Sequence, residues 1–310
     1  KESVGSVMDL LIITWGATQV RDLSTKTLCN FGDVVISESP SFIGSLNGFR
    51  SYGVQLRGVP VEADGMNMDI LEQKLQENQN VRFIYTIPNF QNPSGATMSL
   101  EKRKKLYALA KQYGVLILED NPYGDLRVAG EALPSIKSMD EDGIVIYAGS
   151  FSKVLAPGVR VGYTVAPAPI VAKMTVGKQA ADTHTPMFTQ MLVDEWMATT
   201  DFEAHIQKIR ETYRRKLNLM CDLIDEKLGG FVEYVRPEGG MFVWCRLPDS
   251  VNMLDFCARA VEKKVAVVPG SAFTVEEGET TNCFRMNFTT PSDENIVKGM
   301  DILGELRHAF

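Results

Sequence analysis

The chain has 310 residues, the length of one large or two ordinary domains, which excludes a peptide hormone or a small disulfide knot. With 45% hydrophobic and 23% charged residues it has the composition of a folded globular protein, not of a disordered chain. Its 39 acidic and 32 basic residues give a net charge of −7, which opposes tight binding to phosphate backbones.

In chain order, DLLIIT (9–14) is the first of five short runs rich in β-branched residues, followed by DVVIS (33–37), VRFIYT (81–86), GVLILED (114–120) and GIVIYAGS (143–150). Such runs predict buried strands, because they are too apolar for a protein surface. Helical patterns fall between them over 17–29, 68–78 and 99–113, the last opening with Ser99 as N-cap and Glu101 in its first turn. Strands alternating with helices predict a mostly parallel α/β sheet flanked by helices. From about residue 201 a long helix is predicted, with Ile206, Ile209, Tyr213, Leu217, Met220 and Ile224 as its packing stripe. Beyond Gly229 and Gly230, strands FVEYV, MFVWCRL, VAVV and CFRMNF surround a helix at 252–263, and a last helix covers 292–307. This predicts a large domain over 1–200, then a connecting helix and a smaller α+β domain over 201–310.

In a parallel α/β sheet the ligand crevice lies beyond the carboxyl ends of the strands, so polar residues there are site candidates. IYAGSFSKVLAPGVRVGY (146–163) runs a buried strand into Ser150, Ser152 and Lys153, with Arg160 seven residues further on. Hydroxyls and a guanidinium suit a phosphate, and Lys153 can project into the crevice; a solvated lysine is the plainer alternative. In LEDNPYGDL (118–126), Glu119 and Asp120 close a strand and Tyr123 follows. A carboxylate there can keep a ring nitrogen protonated and a tyrosine can donate to a phenolate oxygen, although an aspartate acting as cap or turn residue fits as well. YTIPNFQNPSG (85–95) is a loop made rigid by Pro88, Pro93 and Gly95, with Asn89, Gln91 and Asn92 as donors to a cofactor, or is only a turn. TWGATQV (14–20) joins a strand to a helix whose first N–H groups can cradle phosphate.

A lysine, an aspartate, a tyrosine, an asparagine and a phosphate cradle at strand ends together meet the needs of pyridoxal 5'-phosphate (PLP). With NPSG, EDNPY and SFSK…R in that order, the chain resembles the fold-type I PLP enzymes of the class I/II aminotransferase family. PNFQNPSG, LEDNPYGDLR and SFSKVLAPGVRVGY are most similar to the branch of 2-aminoadipate, kynurenine and MocR-like aminotransferases, and the likeness runs from about residue 8 to the end. The resemblance implies that Lys153 attaches the cofactor and acts as base, and that Asp120 partners the pyridine nitrogen. It makes Tyr123 and Asn92 donors to the ring oxygen and Phe42, in ESPSFIG, the stacked aromatic. The phosphate falls to Ala17, Thr18, Ser150, Ser152 and Arg160, and the substrate carboxylate to Arg285, in CFRMNF, with Asn92 beside it. An ordinary surface salt bridge is the alternative for Arg285.

The family carries a sizeable segment ahead of the TWGATQ loop that this sequence does not include. It often has Ser and Gln where Ala17 and Thr18 stand, so one side-chain donor is missing from the phosphate loop while backbone donors remain. The implied activity is transfer of an amino group from an amino acid to a 2-oxo acid, 2-oxoglutarate by resemblance, in a ping-pong cycle run by a homodimer. The same cradle serves lyases and decarboxylases, and MocR-type regulators attach a DNA-binding domain to this fold as a non-catalytic sensor.

EKRKK (101–105) reads as the solvated face of a helix, not as a nucleic-acid patch. His184, His205 and His308 lie far apart without HExxH spacing, which gives no support to a metal site. Cys29, Cys221, Cys245, Cys257 and Cys283 form no CxxC pair, so neither a disulfide framework nor a zinc cluster is expected and a reducing cytoplasm fits. No apolar stretch reaches the roughly 18 to 20 residues of a membrane span, and KESVGSVMDL has no signal-peptide plan, so a soluble protein without membrane or nucleic-acid partners is expected.

Overall fold

The structure, a computed structural model, describes residue 5 and residues 8–310. β1 (Asp9–Thr14) leads into α1 (Ala17–Leu28), and β2 (Val34–Ser39) into α2 (Ile43–Arg50). β3 (Gln55–Glu62) and β4 (Gly65–Met66) precede α3 (Met68–Glu77), and β5 (Val81–Thr86) reaches α4 (Leu100–Tyr113) through a polar loop. Then come β6 (Leu116–Asp120), β7 (Val145–Ser150), β8 (Gly162–Pro167), α5 (Ala168–Asp182), α6 (Met187–Thr199) and the long α7 (Phe202–Leu228). The last part holds β9 (Glu233–Tyr234), β10 (Phe242–Arg246), α8 (Met253–Glu262), β11 (Val268–Pro269), β12 (Cys283–Asn287) and α9 (Asp293–Leu306).

Eight strands form one mixed sheet in the order β1-β8-β7-β6-β5-β2-β3-β4. Its centre is parallel: β2 pairs with β3 and β5, and β6 with β5 and β7. Helices cover both faces of this centre, which is why every residue of VVISES in β2 is buried. Toward one edge the sheet turns antiparallel, because β7 returns directly as β8 without a crossover helix and β1 pairs with β8. There the prediction of a strand too apolar for the surface fails, since β1 is an edge strand and Leu10 and Leu11 are 51% and 57% exposed.

The helix boundaries follow local chemistry. The side chains of Asn67, Ser99, Asp201, Asn252 and Ser292 each accept a bond from a first-turn amide of α3, α4, α7, α8 and α9. α7 runs along both halves of the molecule: Ile206, with Ile209 and Tyr213, packs into the core of the eight-stranded sheet, and Leu217, Met220 and Ile224 into the core of the last part. Each fully buried aliphatic side chain of this stripe contributes roughly 1.5–3 kcal/mol. The last part is a four-stranded sheet in the order β11-β12-β10-β9 with α8 and α9 against it. Here FVEYV and VAVV shrink to the two-residue strands β9 and β11, and Pro269 lacks the N–H that would extend the ladder.

One surface expectation is overturned. Within EKRKK, Arg103 is fully buried, and its guanidinium donates to Met98 O (2.9 Å), Pro134 O (2.9 Å), Pro88 O (3.1 Å) and Asn89 Oδ1 (2.6 Å). It fixes the loop between β5 and α4 from beneath. Among the described residues no helix is long and apolar enough to cross a membrane, and no cluster of side chains is arranged to hold a metal ion.

Candidate active site

The chain leaves β2 to build β3 on one side and returns to add β5 on the other, so the topological switch lies between β2 and β5. The carboxyl ends of β2, β5, β6 and β7 open there on a cavity of about 260 Å³. All eleven residues to which the resemblance gives a role line it, Ala17, Thr18, Phe42, Asn92, Asp120, Tyr123, Ser150, Ser152, Lys153, Arg160 and Arg285, whereas Asn89 and Gln91 do not.

At one end the start of α1 meets the turn after β7. Gly16, the N-cap, has φ 97°, and a Cβ there would stand 2.6 Å from Arg160 Nη2, so only glycine lets the guanidinium approach. Arg160 donates to Trp15 O at 2.7 Å and to Ser152 Oγ at 3.2 Å, while Ser150 Oγ donates to Ser152 Oγ at 3.0 Å. With the unpaired first amides of α1, these groups form an anion cradle. No side chain caps α1, so Ala17 contributes through its backbone.

Asp120, at the end of β6, is 1% exposed. Its Oδ2 accepts from Arg21 Nη1 at 2.6 Å and from Tyr85 Oη at 2.8 Å, whereas Oδ1 is buried without a partner. Glu119 points to the other face of the sheet and accepts from the Ile136 and Lys137 amides, as strand alternation requires. Tyr123 is buried, which pushes its hydroxyl up to about 12 and keeps it a donor, and Asn92 Nδ2 donates to it at 3.3 Å. Asn89 and Gln91 are not free for a ligand. Asn89 Nδ2 donates to Asn121 Oδ1, and Gln91 Nε2 donates to Glu38 Oε2 and Pro40 O.

Lys153 is half-buried, and burial, then the charges of Arg160 and Arg285, lower its pKa from the ordinary lysine value. Arg285, on β12, donates from Nη1 to Asn92 Oδ1 at 2.7 Å and lies between two rings, 4.0 Å from the centre of Phe242 and 4.8 Å from that of Phe273. Its Nε is buried without a partner, and burial lowers its pKa.

Sequence reasoning missed Arg21 and Phe242. Arg21 was legible in principle, because it falls among Ala17, Val20 and Ser24 on the buried face of α1, where a charge needs a partner. Phe242 carries no such signal, since an aromatic in a strand reads as core.

Four cations, Arg21, Lys153, Arg160 and Arg285, therefore face one carboxylate, Asp120, across the cavity. That balance suits a ligand bearing both a phosphate and a carboxylate. PLP with an amino acid fits the two orphaned atoms: Asp120 Oδ1 is an acceptor for a ring N–H, and Arg285 Nε is a donor for a carboxylate.

Residues 6–303 match the family model described as Aminotransferase class I and II. Aromatic-amino-acid aminotransferase 1 of Thermococcus litoralis is 40% identical over 95% of the chain and 72% of its own length. The 2-aminoadipate transaminase of Thermus thermophilus is 37% identical over 98% of the chain and 76% of its own. The crystal structure of a kynurenine aminotransferase from Pyrococcus horikoshii superposes on the whole chain with a TM-score of 0.96 at 37% identity, the chain covering 77% of it. The chain belongs to the class I and II aminotransferase family and is a PLP-dependent transaminase of fold type I.

Proposed function

We propose that this cavity transfers the amino group of an amino acid to a 2-oxo acid, with 2-oxoglutarate as acceptor, in a ping-pong cycle. The observation that carries the reading is the convergence of Lys153, from the turn after β7, Asp120, from the end of β6, and Arg285, from the middle of β12, on one cavity.

Bound PLP supplies a carbonyl that condenses with amines and a ring that accepts the electrons of a broken Cα–H bond. Lys153 would hold the cofactor through Nζ, and its amine, when free, would be the base placed to move the Cα proton of the amino acid. A lowered pKa keeps that amine neutral closer to physiological pH. Asp120 Oδ1 holds the proton on the ring nitrogen. Tyr123 and Asn92 steady the ring oxygen, and Phe42 covers a ring face. The phosphate rests on the backbone of Ala17 and Thr18 with Ser150, Ser152 and Arg160, and Arg285, held by Asn92, takes the substrate carboxylate.

In this reading residues 1–200 bind the cofactor, and 201–310 connect through α7 to the part that brings Arg285 to the site. We also propose a homodimer, supported by the exposed apolar side chains Met187, Phe188, Met191 and Leu192 on α6; sedimentation at micromolar concentration showing only monomer contradicts it. A cytoplasmic setting is in keeping with five free thiols.

The test is a half-reaction. PLP-loaded protein is mixed with aromatic amino acids, 2-aminoadipate, kynurenine and branched-chain amino acids, without acceptor, and the visible spectrum is followed. Loss of the visible band with release of a 2-oxo acid supports the reading and names the donor. Release of ammonia or carbon dioxide, or a spectrum that responds to none, contradicts it.

A further inference from the structure

Arg21 is a buried cation on the cavity wall that the reaction above does not use. Its side chain is 8% exposed, and its two terminal nitrogens bond to residues of two different elements, β6 and α1. Nη1 donates to Asp120 Oδ2 at 2.6 Å, while Nη2 donates to Thr18 Oγ1 at 3.0 Å, in the first turn of α1 beside the anion cradle. A guanidinium is a rigid planar fork, so anchoring one prong on Thr18 fixes where the other meets the carboxylate. Tyr85 adds a second donor to the same oxygen, at 2.8 Å, and is itself held by Ser45 at 2.7 Å. With both donors on Oδ2, the carboxylate cannot rotate, and Oδ1 is left as the acceptor without a partner.

Charge matters as much as geometry. The other titratable groups about Asp120 are Tyr85 and Tyr123, both neutral at physiological pH because burial raises them, and Glu38, which reaches it only through space from β2. Lys153, Arg160 and Arg285 line the same cavity, but among the described residues Arg21 alone is ion-paired with Asp120. In a desolvated site a cation in contact with a carboxylate offsets much of its pull on a second proton.

Resting on the assignment of Asp120 to the ring nitrogen, we propose that Arg21 is a positioning residue for the cofactor ring. It orients Asp120 Oδ1 to the nitrogen and weakens the hold on the proton that the two share, compared with an unpaired carboxylate.

The test is nitrogen-15 NMR of the holoenzyme loaded with PLP labelled at the ring nitrogen, titrated with pH for wild type, Arg21→Lys, Arg21→Met and Arg21→Gln. In the methionine and glutamine variants the nitrogen keeps its proton to higher pH, the midpoint rising by about one to three pH units, whereas Arg21→Lys stays with wild type. Glutamine removes the charge but stays polar, and decides the matter if the methionine variant does not fold. Shifts and midpoints identical in wild type and both neutral variants overturn the inference. Asp120→Asn separates the two claims: if it leaves the nitrogen signal of wild type unchanged, the assignment of Asp120 fails, and the role of Arg21 fails with it.

Discussion

Arg285 Nη1 donates a 2.7 Å hydrogen bond to Asn92 Oδ1, and the amide nitrogen of the same Asn92 donates to the Tyr123 hydroxyl at 3.3 Å. One side chain from the loop after β5 thus orients both a cation on β12 and a phenol after β6. Because Arg285 otherwise rests between two phenyl rings, this bond sets the direction of its guanidinium.

Asn92→Ala removes both bonds at once. A hydrogen bond to a charged group is worth about 1.5–3 kcal/mol, which is about 10- to 100-fold in kcat/KM. Steady-state kinetics should show a raised KM for the amino acid together with a lower kcat, and unchanged constants contradict the role given to Asn92.

Gly16→Ala forces a Cβ to 2.6 Å from Arg160 Nη2 and asks an alanine to hold φ 97°. The guanidinium must leave the cradle, so PLP is expected to bind about 10- to 100-fold more weakly, the loss of a charge-assisted bond or two. Equilibrium dialysis measures this, and wild-type affinity counts against the cradle.

Glu38, 1% exposed, accepts from Thr86 Oγ1 at 2.6 Å, Ile87 N at 3.0 Å and Gln91 Nε2 at 3.2 Å, tying β2 to the loop that carries Asn92. Burial pushes its carboxyl from 4.5 up to about 7, with those three donors pulling the other way. Because the folded value lies above the unfolded one, its contribution to stability is complete below pH 4.5 and is lost as the pH rises through about 7. Relative to Glu38→Gln, which does not titrate, wild type should lose about 3 kcal/mol across that window. Urea unfolding at pH 4.5, 6 and 8 checks it, and a constant difference between the two proteins contradicts it.

The central strands and the ligand-bearing turns were legible in the sequence because a strand buried on both faces has to be apolar, so Asp120 and Ser150 stand out where VLIL and IVIYAG end. β3, in QLRGVPVE, hides because exposed and buried residues mix along it, and β8, in GYTVAP, because Gly, Thr, Ala and Pro dilute its apolar run. Arg103 shows the deeper limit. A helical pattern tells which face a residue occupies, but the carbonyls of Pro88, Met98 and Pro134 that collect a buried guanidinium come together only through the fold.

Arg103→Ala takes the guanidinium from Met98 O, Pro134 O and Asn89 Oδ1, while Pro88 O keeps the Met98 amide, and is expected to cost about 3–5 kcal/mol. Arg103→Lys should recover little, since the three N–H bonds of an ammonium start from one nitrogen and cannot span acceptors that Nε, Nη1 and Nη2 reach separately. Denaturant unfolding of both variants decides, and a loss below about 1 kcal/mol for alanine means that the clamp is not needed.

The central claim is that Lys153 is the amine on which the reaction turns. The direct measurement is a single-turnover reaction of PLP-loaded wild type and Lys153→Ala with the best amino acid donor, read by the visible spectrum and by the 2-oxo acid released. Wild type should lose its band and release one equivalent of 2-oxo acid, while Lys153→Ala should lack the wild-type band and form product at least about 1,000-fold more slowly, as removal of a nucleophile and base entails. A Lys153→Ala protein that converts the amino acid at the wild-type rate contradicts the account.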